Sequence, residues 1–517
     1  MAIGLGIVVL LGIFVLISVV SKKQVKTNED YWLMGRKAKW WMFAGTLSAS
    51  YVSLATFIGG VGASWAWGPM PYLLFFTSSM TFGWIIAVVL IGLRMRKMGS
   101  ESISDFYRQR FGDKSASLLT GISVTLAAII FFYLLVQLQG GGIVISEIFG
   151  TPLYVGIAIM VAILAVTLAS SGMYSVVLTD TFSMFLFIVV GALLIPGTII
   201  AVGSLDIGIG AVSANGGWSA TGSSGLDMPY FIGYALAWLS IIGGSPHLIN
   251  RSLIVDTPKS VVKGSFVAYI ITMSVTLCVF LASSMLTAAI EPGSMSPDAI
   301  SAFASANVWP KMIGVLLIGG AMAAAFTTAN TQTITVAQGF VDVFRFSLKP
   351  NMGEKQLRKL TMIVSVLVLV LVGAFAAQQV WLIVIASSLA GVIASLGFFP
   401  TLILALYWKR LTVKAVKIML WASIPIGIFM IATNTLWGWF APFPTVYSYP
   451  IGFGGLVLIS LLTKQTEAEK QGYLFMREKG FTKKPQKVEK SDYVTIIAGL
   501  SFMAILFFVL NNMLGTL

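Results

Sequence analysis

Leu47-Ser48-Ala49-Ser50-Tyr51-Val52-Ser53-Leu54-Ala55-Thr56-Phe57-Ile58-Gly59-Gly60 sits inside an apolar run covering 38–67. The run is long enough to cross a bilayer core of about 30 Å. Its middle, however, is rich in small and hydroxyl residues and ends in paired glycines. In hydrocarbon every backbone amide and carbonyl needs an internal partner. Irregular backbone at membrane depth therefore persists only where it is buried in protein or lines a cavity. The stretch reads as a spanning helix broken near its centre. A second apolar run is punctuated in the same way: Trp238-Leu239-Ser240-Ile241-Ile242-Gly243-Gly244-Ser245-Pro246. There Pro246 removes a backbone donor and clashes with the preceding turn. Small residues also serve simply to let helices pack closely, and for either stretch alone that reading stands equally well. Their placement favours the break. Counted from the second span, the two are the first members of consecutive groups of five. Interrupted spans at corresponding places in two halves mark a transporter site built on inverted repeats. No sequence similarity between the halves is evident by inspection.

Around these two runs the whole chain is apolar. Its 517 residues are 57% hydrophobic and 10% charged, with a mean hydropathy of +0.91, whereas a soluble domain carries about 25% charged residues. Fourteen spans are expected, at 3–21, 38–67, 71–93, 116–147, 153–170, 174–202, 229–250, 260–289, 309–344, 358–377, 380–406, 412–434, 448–463 and 493–513. The first is read as a span and not as a signal peptide, because its charges (Lys22, Lys23, Lys26) follow the apolar run instead of preceding it. All but one of the 33 Lys and Arg residues lie in or beside the alternate loops that begin near Lys22, Arg94, Ser170, Arg251, Arg345, Trp408 and Lys464; Lys311 is the exception. This asymmetry places those loops in the cytoplasm and both termini outside. It also accounts for the net charge of +14. The charge is spread over one membrane face and forms no compact basic domain, so a lipid bilayer and not a nucleic acid is the expected partner. The eight basic residues between Lys464 and Lys490 read as a solvated loop.

A third stretch, Ala321-Met322-Ala323-Ala324-Ala325-Phe326-Thr327-Thr328-Ala329-Asn330-Thr331-Gln332-Thr333, supplies oxygens. Thr327 and Thr331 are four residues apart and Thr328 is one step round, so they share a broad helix face. A single threonine in a membrane helix usually bonds back to its own carbonyls. Four of them with an asparagine and a glutamine in seven residues suit a hard cation such as sodium, by extension of the rule that hard cations take oxygen ligands.

At this point the chain resembles the solute:sodium symporter family, in its proline, pantothenate and acetate branch. The resemblance rests on Asp30-Tyr31-Trp32-Leu33-Met34-Gly35-Arg36, Thr56-Phe57-Ile58-Gly59, Thr179-Asp180, Pro246-His247-Leu248 with Arg251, Ala324 to Gln332, and Phe399-Pro400 followed by Trp408-Lys409-Arg410. It implies an all-α polytopic membrane protein with a LeuT-type five-plus-five inverted repeat, extra flanking helices and about 14 transmembrane helices. The corresponding units are 1–37 (an extra helix and loop), 38–202 (first repeat), 203–406 (second repeat) and 407–517 (additional helices). It also implies a sodium site formed by the carbonyls of Ala49, Val52 and Ala324 and the hydroxyls of Thr327 and Thr328, with Asp180 close to the ion. Relatives more often carry serine at the last two positions, which keeps the oxygens.

The function expected is sodium-coupled import of a small organic solute by alternating access, with sodium as coupling ion and no other cofactor. Ser53, Thr56, Gln139 and Trp238 are the candidate solute contacts. No arginine or lysine falls near the middle of a core span, so an anionic solute is expected at a half-helix N-terminus, where unpaired amides and the dipole favour negative charge. The Pro-His pair favours a carboxylate or amino acid over a sugar. Gln137 is a further candidate for the cavity, and Asp180 is an ionisable group in a membrane helix and so a functional candidate by default. Glu147 is expected at the surface, Asp342 at a cytoplasmic helix end, and His247 bonded to a neighbouring loop as readily as acting in a gate.

Competing classes fare worse. An enzyme needs paired acids, a nucleophile with a base, or metal ligands, and the chain has one His (His247), one Cys (Cys278) and scattered acids. A channel needs charged rings or a carbonyl filter. A proton-driven carrier, a sugar carrier on the same scaffold and a solute sensor remain as alternatives. The topology is checked by single cysteines at Asn215 and Glu467 in a Cys278→Ser background, which should react with an impermeant maleimide from opposite sides of the membrane. Labelling of both from one side contradicts it.

Overall fold

A computed structural model describes residues 2–378 and 383–481. Among these residues the structure is helical apart from turns and one isolated parallel bridge between Ala38 and Val255. Eleven helices are long and apolar enough to cross a membrane. A twelfth crossing is the second expected span, where Trp40–Tyr51 and Ala55–Trp67 meet at a 54° bend. The count of fourteen is therefore not reached among the described residues. The fifth expected span is the helix Leu153–Ser171, which is not among those eleven. The fourteenth, 493–513, lies outside the described residues.

Local sequence explains where the helices start and stop. Ser115 accepts from the Leu118 amide to open the fourth span, Ala116–Phe149, and Gly150 closes it in the left-handed region at φ 64°. Thr412 opens Val413–Trp437 by accepting from Ala415, and Gly438 closes it at φ 67°. In the seventh span Met228–Gly243 gives way at Gly244 and Ser245 to Pro246–Arg251. Pro246 sits in the first turn of the second piece, where its missing amide hydrogen costs nothing. The two pieces stay within one span, so this interruption is milder than the bend in the second.

The core is polar-rich and buried. From Gly320 to Gly339 every residue of the ninth span, Lys311–Val343, is buried. The outer helices instead present large apolar side chains, among them Ile200 at 71%, Leu371 at 62% and Leu462 at 77% exposure. Such a surface is a liability in water and suits a lipid face.

The basic loops converge on one end of the bundle. Arg36 donates to the Gly99 carbonyl at 3.0 Å, Arg96 to Val255 at 2.8 Å, and Arg110 to Ala405 at 2.8 Å and Glu469 at 3.0 Å. Lys39 pairs with Asp256, Arg345 with Glu101 and Lys417 with Asp113. At the other end Trp65 donates to Ile290, Ser223 to Trp67, and the Ile383 amide to Asp298. Gly62 packs there so tightly that a Cβ would lie 2.0 Å from the Pro297 carbonyl. Loops that alternate along the chain thus gather at opposite ends, as an even set of crossings requires.

Candidate functional site

The break in the second span is held open by side chains. The helix ends at Tyr51, Val52 is extended, and the next turn begins at Leu54. The Leu54 amide donates to Gln137 Oε1 at 3.2 Å and the Ala55 amide to Ser53 Oγ at 3.2 Å. These are the amides left over when a helix restarts. The half-helix N-terminus, expected to receive an anion, therefore has two of its donors already occupied by a neighbouring glutamine and by its own serine.

The ninth span faces the other side of this break. Thr327 Oγ1 lies 3.0 Å from the Ala49 carbonyl, 3.0 Å from Ala323 and 3.2 Å from Ala324. One hydroxyl hydrogen serves at most one of three carbonyls, so the cluster holds more acceptors than donors. Thr328 Oγ1 is fully buried and has no hydrogen-bond partner among the described residues. Ala49, Ala324 and Thr327 thus come together, with Thr328 adjacent in the helix and Val52 at the end of the broken half. An oxygen-rich, donor-poor cluster is the environment a desolvated monovalent cation requires.

One helical turn away is a buried ion pair. Arg251 Nη2 lies 2.7 Å from Asp180 Oδ2, and neither side chain has any exposed surface. Thr46 donates to the same carboxylate oxygen at 2.5 Å, while Arg251 also reaches Ser50 Oγ at 3.1 Å, the Thr331 hydroxyl and Met173 Sδ at 3.2 Å. Thr331 in turn donates to the Thr327 carbonyl at 2.9 Å. The pair joins the second, sixth, seventh and ninth spans, and it is linked to the threonine cluster through one hydrogen bond.

The candidate solute contacts divide. Ser53, Thr56 and Trp238 are all buried. Tyr133 OH donates to Ser53 Oγ at 3.4 Å, and its ring lies 6.3 Å from that of Trp238 and 5.7 Å from that of His247. Trp238 also packs edge-on against Phe76 at 4.7 Å. Gln139 is buried too, but two residues along a helix is about 200° of rotation. Gln139 therefore cannot share the face through which Gln137 meets the break.

The profile of the sodium:solute symporter family matches residues 31–422. The chain belongs to the sodium:solute symporter family. It is 23% identical to the sodium/pantothenate symporter of Haemophilus influenzae over 394 residues, 74% of this chain and 80% of the relative. It is likewise 23% identical to the sodium/glucose cotransporter of Vibrio parahaemolyticus over 489 residues, covering 83% of this chain and 84% of the relative. The structure superposes on a substrate-bound, outward-open sodium-coupled sialic acid symporter with a TM-score of 0.71 at 17% identity, covering 90% of this chain and 99% of the other. The fold of this sodium:solute symporter is therefore that of a sodium-coupled carrier.

One sequence-based expectation is corrected by the structure of this family member. Arg251, counted among the loop cations, is fully buried, because Pro246–Arg251 carries it back into the protein to meet Asp180. A buried cation does therefore lie near the core, contrary to the expectation that none would. Asp342 lies on the last turn of its helix, as expected, where it is fully buried and accepts from Ser102 at 2.5 Å. His247 bonds Ser245, two residues away in the interruption of the seventh span, at 2.9 Å through Nδ1, and is buried against Tyr133. Glu147 is exposed. Tyr133 went unnoticed in the sequence. Its one signal is that it precedes Gln137 by four residues, which places both on one helix face.

Arg251→Gln leaves the Asp180 carboxylate buried without its counter-ion, at a cost of about 3–5 kcal/mol. Its Tm in detergent should fall markedly, and Asp180→Asn added to it should restore much of the loss. A single variant as stable as the parent contradicts a paired, charged state.

Proposed function

We propose that this sodium:solute symporter imports a small carboxylate or amino acid together with sodium by alternating access. The observation carrying the proposal is the donor-poor cluster of the Ala49 and Ala324 carbonyls with the Thr327 and Thr328 hydroxyls, set between a broken span and an unbroken one. The ligands of the coupling ion are these four oxygens and the Val52 carbonyl. Asp180 holds its charge close by, balanced by Arg251. The core is a five-plus-five inverted repeat, 38–202 and 203–406, flanked by 1–37 and 407–517. Both termini face outward, and the basic end of the bundle faces the cytoplasm of a cell whose plasma membrane houses the protein.

The solute lies beside Ser53, Thr56 and Trp238, with Tyr133 as a further contact and Gln139 at the periphery. Pantothenate and sialic acid, named for two of the similar proteins, are both carboxylates; glucose, named for the third, is not. Arg251 is committed to Asp180, so the solute's carboxylate is met by hydroxyls and by amides released when Ser53 or Gln137 turns aside. Such a site binds an anion without burying an extra cation, which would be expensive at this depth.

Sodium that bridges the two spans stabilises the arrangement that also forms the solute site, because Ala49 and Val52 lie about one turn from Ser53 and Thr56. Each ligand then raises the affinity for the other, reciprocally. Calorimetry on purified protein with a panel of carboxylates, amino acids and sugars, sodium being replaced by choline at constant ionic strength, should show solute binding only with sodium. Equally tight binding in choline rejects sodium coupling, and dependence on pH in its place indicates a proton-driven carrier.

Thr328→Ala removes one ligand oxygen and preserves the helix. It should raise the sodium concentration for half-maximal uptake about tenfold, the equivalent of roughly 1.4 kcal/mol. Thr328→Ser, which keeps the oxygen, should be mild. Unchanged sodium dependence in Thr328→Ala rules out this ligand assignment.

A further inference from the structure

The basic end of the core holds a second group of buried oxygens. Asp342 is on the last turn of the ninth span, Asn250 on the last turn of the seventh, and Ser104 on the short helix Ile103–Phe111. All three are at least nine-tenths buried, at 0%, 5% and 1% exposure. They line one cavity of about 10 Å³, the size of a single water-sized occupant. Asp342 Oδ1, Asn250 Oδ1 and Ser104 Oγ have no hydrogen-bond partner among the described residues. Two of these oxygens, the carboxylate and the amide carbonyl, only accept.

The cations nearby form their direct ion pairs with other carboxylates. Arg345 is paired with Glu101 at 2.6 Å and Arg108 with Asp105 at 2.5 Å, and Asp342 pairs with neither. Its one partner, Ser102, satisfies Oδ2. A water would fill the space without balancing the charge, and a proton on Asp342 would balance the charge without filling the space. A small cation does both. A single carboxylate among neutral oxygens suits one positive charge, and hydroxyl, carbonyl and carboxylate ligands select a hard ion.

We propose that Asp342, Asn250 and Ser104 bind one sodium ion in this cavity. The site is separate from the threonine cluster and does not rest on that assignment. Asp342 is fourteen residues from Thr328 along one helix, about 21 Å at the usual rise. Bound there, sodium ties the ninth span to the seventh and to the helix Ile103–Phe111, and closes the basic end of the core.

The test is equilibrium binding of radioactive sodium to the purified full-length protein, against choline at constant ionic strength, in a Thr328→Ala background that weakens the other site. That protein should still bind sodium. Adding Asp342→Asn, which keeps the side-chain shape, should lower the stoichiometry by one sodium ion and leave only the weakened binding of the threonine cluster, and adding Ser104→Ala should weaken the tighter binding about tenfold. If the Asp342→Asn double variant binds as many sodium ions, as tightly, as Thr328→Ala alone, the cavity holds water or the carboxyl carries a proton, and the proposal fails. It also fails if Thr328→Ala alone removes all bound sodium. Should Asp342→Asn not fold, Ser104→Ala decides, since unchanged sodium affinity there overturns the site.

Discussion

A helix that stops in mid-membrane leaves amides and carbonyls that only protein can satisfy, and the rest of this structure is arranged around one such stop. At Val52 and Ser53 the second span gives up its own hydrogen bonds. Gln137 approaches from the fourth span to take the Leu54 amide, and Ser53 folds back onto Ala55. On the opposite side Thr327 reaches the Ala49 carbonyl from the ninth span. These partners must come within about 3 Å of the backbone, so the fourth and ninth helices have to flank the break closely. Small residues permit that approach: a Cβ on Gly140 would lie 2.9 Å from Leu54. The free energy that would oppose an unsatisfied break in hydrocarbon thereby positions the three helices that meet at the break.

The second constraint is charge. Asp180 and Arg251 have no exposed surface, and either one alone would be far costlier at this depth than the pair. Their partners, Thr46, Ser50 and Thr331, come from the broken second span and from the helix of the threonine cluster. A shift of the second span relative to the ninth must therefore either carry the ion pair along or expose it. This couples the polar core to rearrangement of the spans in a way that apolar packing alone does not. It also commits the one buried arginine near the candidate solute site, which leaves hydroxyls and backbone amides to meet a solute.

The basic residues do two things at once. Their bias toward alternate loops sets orientation during insertion. In the folded protein Arg36, Arg96 and Arg110 each donate to backbone carbonyls of distant segments and tie one end of the bundle together. The opposite end relies on closer backbone packing, as at Gly62 against Pro297, and on Asp298 meeting the first amide of the helix Ile383–Ile393.

The amino-acid sequence by itself determined the class of the protein, the position of nearly every described span and the two interruptions, because these follow from local hydropathy and from Gly, Pro and hydroxyl content within a few residues. The oxygen-rich segment from Thr327 to Thr333 was legible for the same reason. What only the tertiary structure decided was which of these groups meet. Arg251 looks like a loop cation because it ends an apolar run, yet a six-residue helix turns it onto Asp180, 71 positions earlier in the chain. Asp342 looks like a helix end because it nearly is one, yet Ser102 and the helix Ile103–Phe111 cover it. Tyr133 carries no local mark beyond its four-residue spacing from Gln137, and Gln137 and Gln139 differ only by which way the helix turns them. Burial, pairing and the direction of a side chain are set by contacts between spans far apart in sequence, and no local pattern encodes those distances.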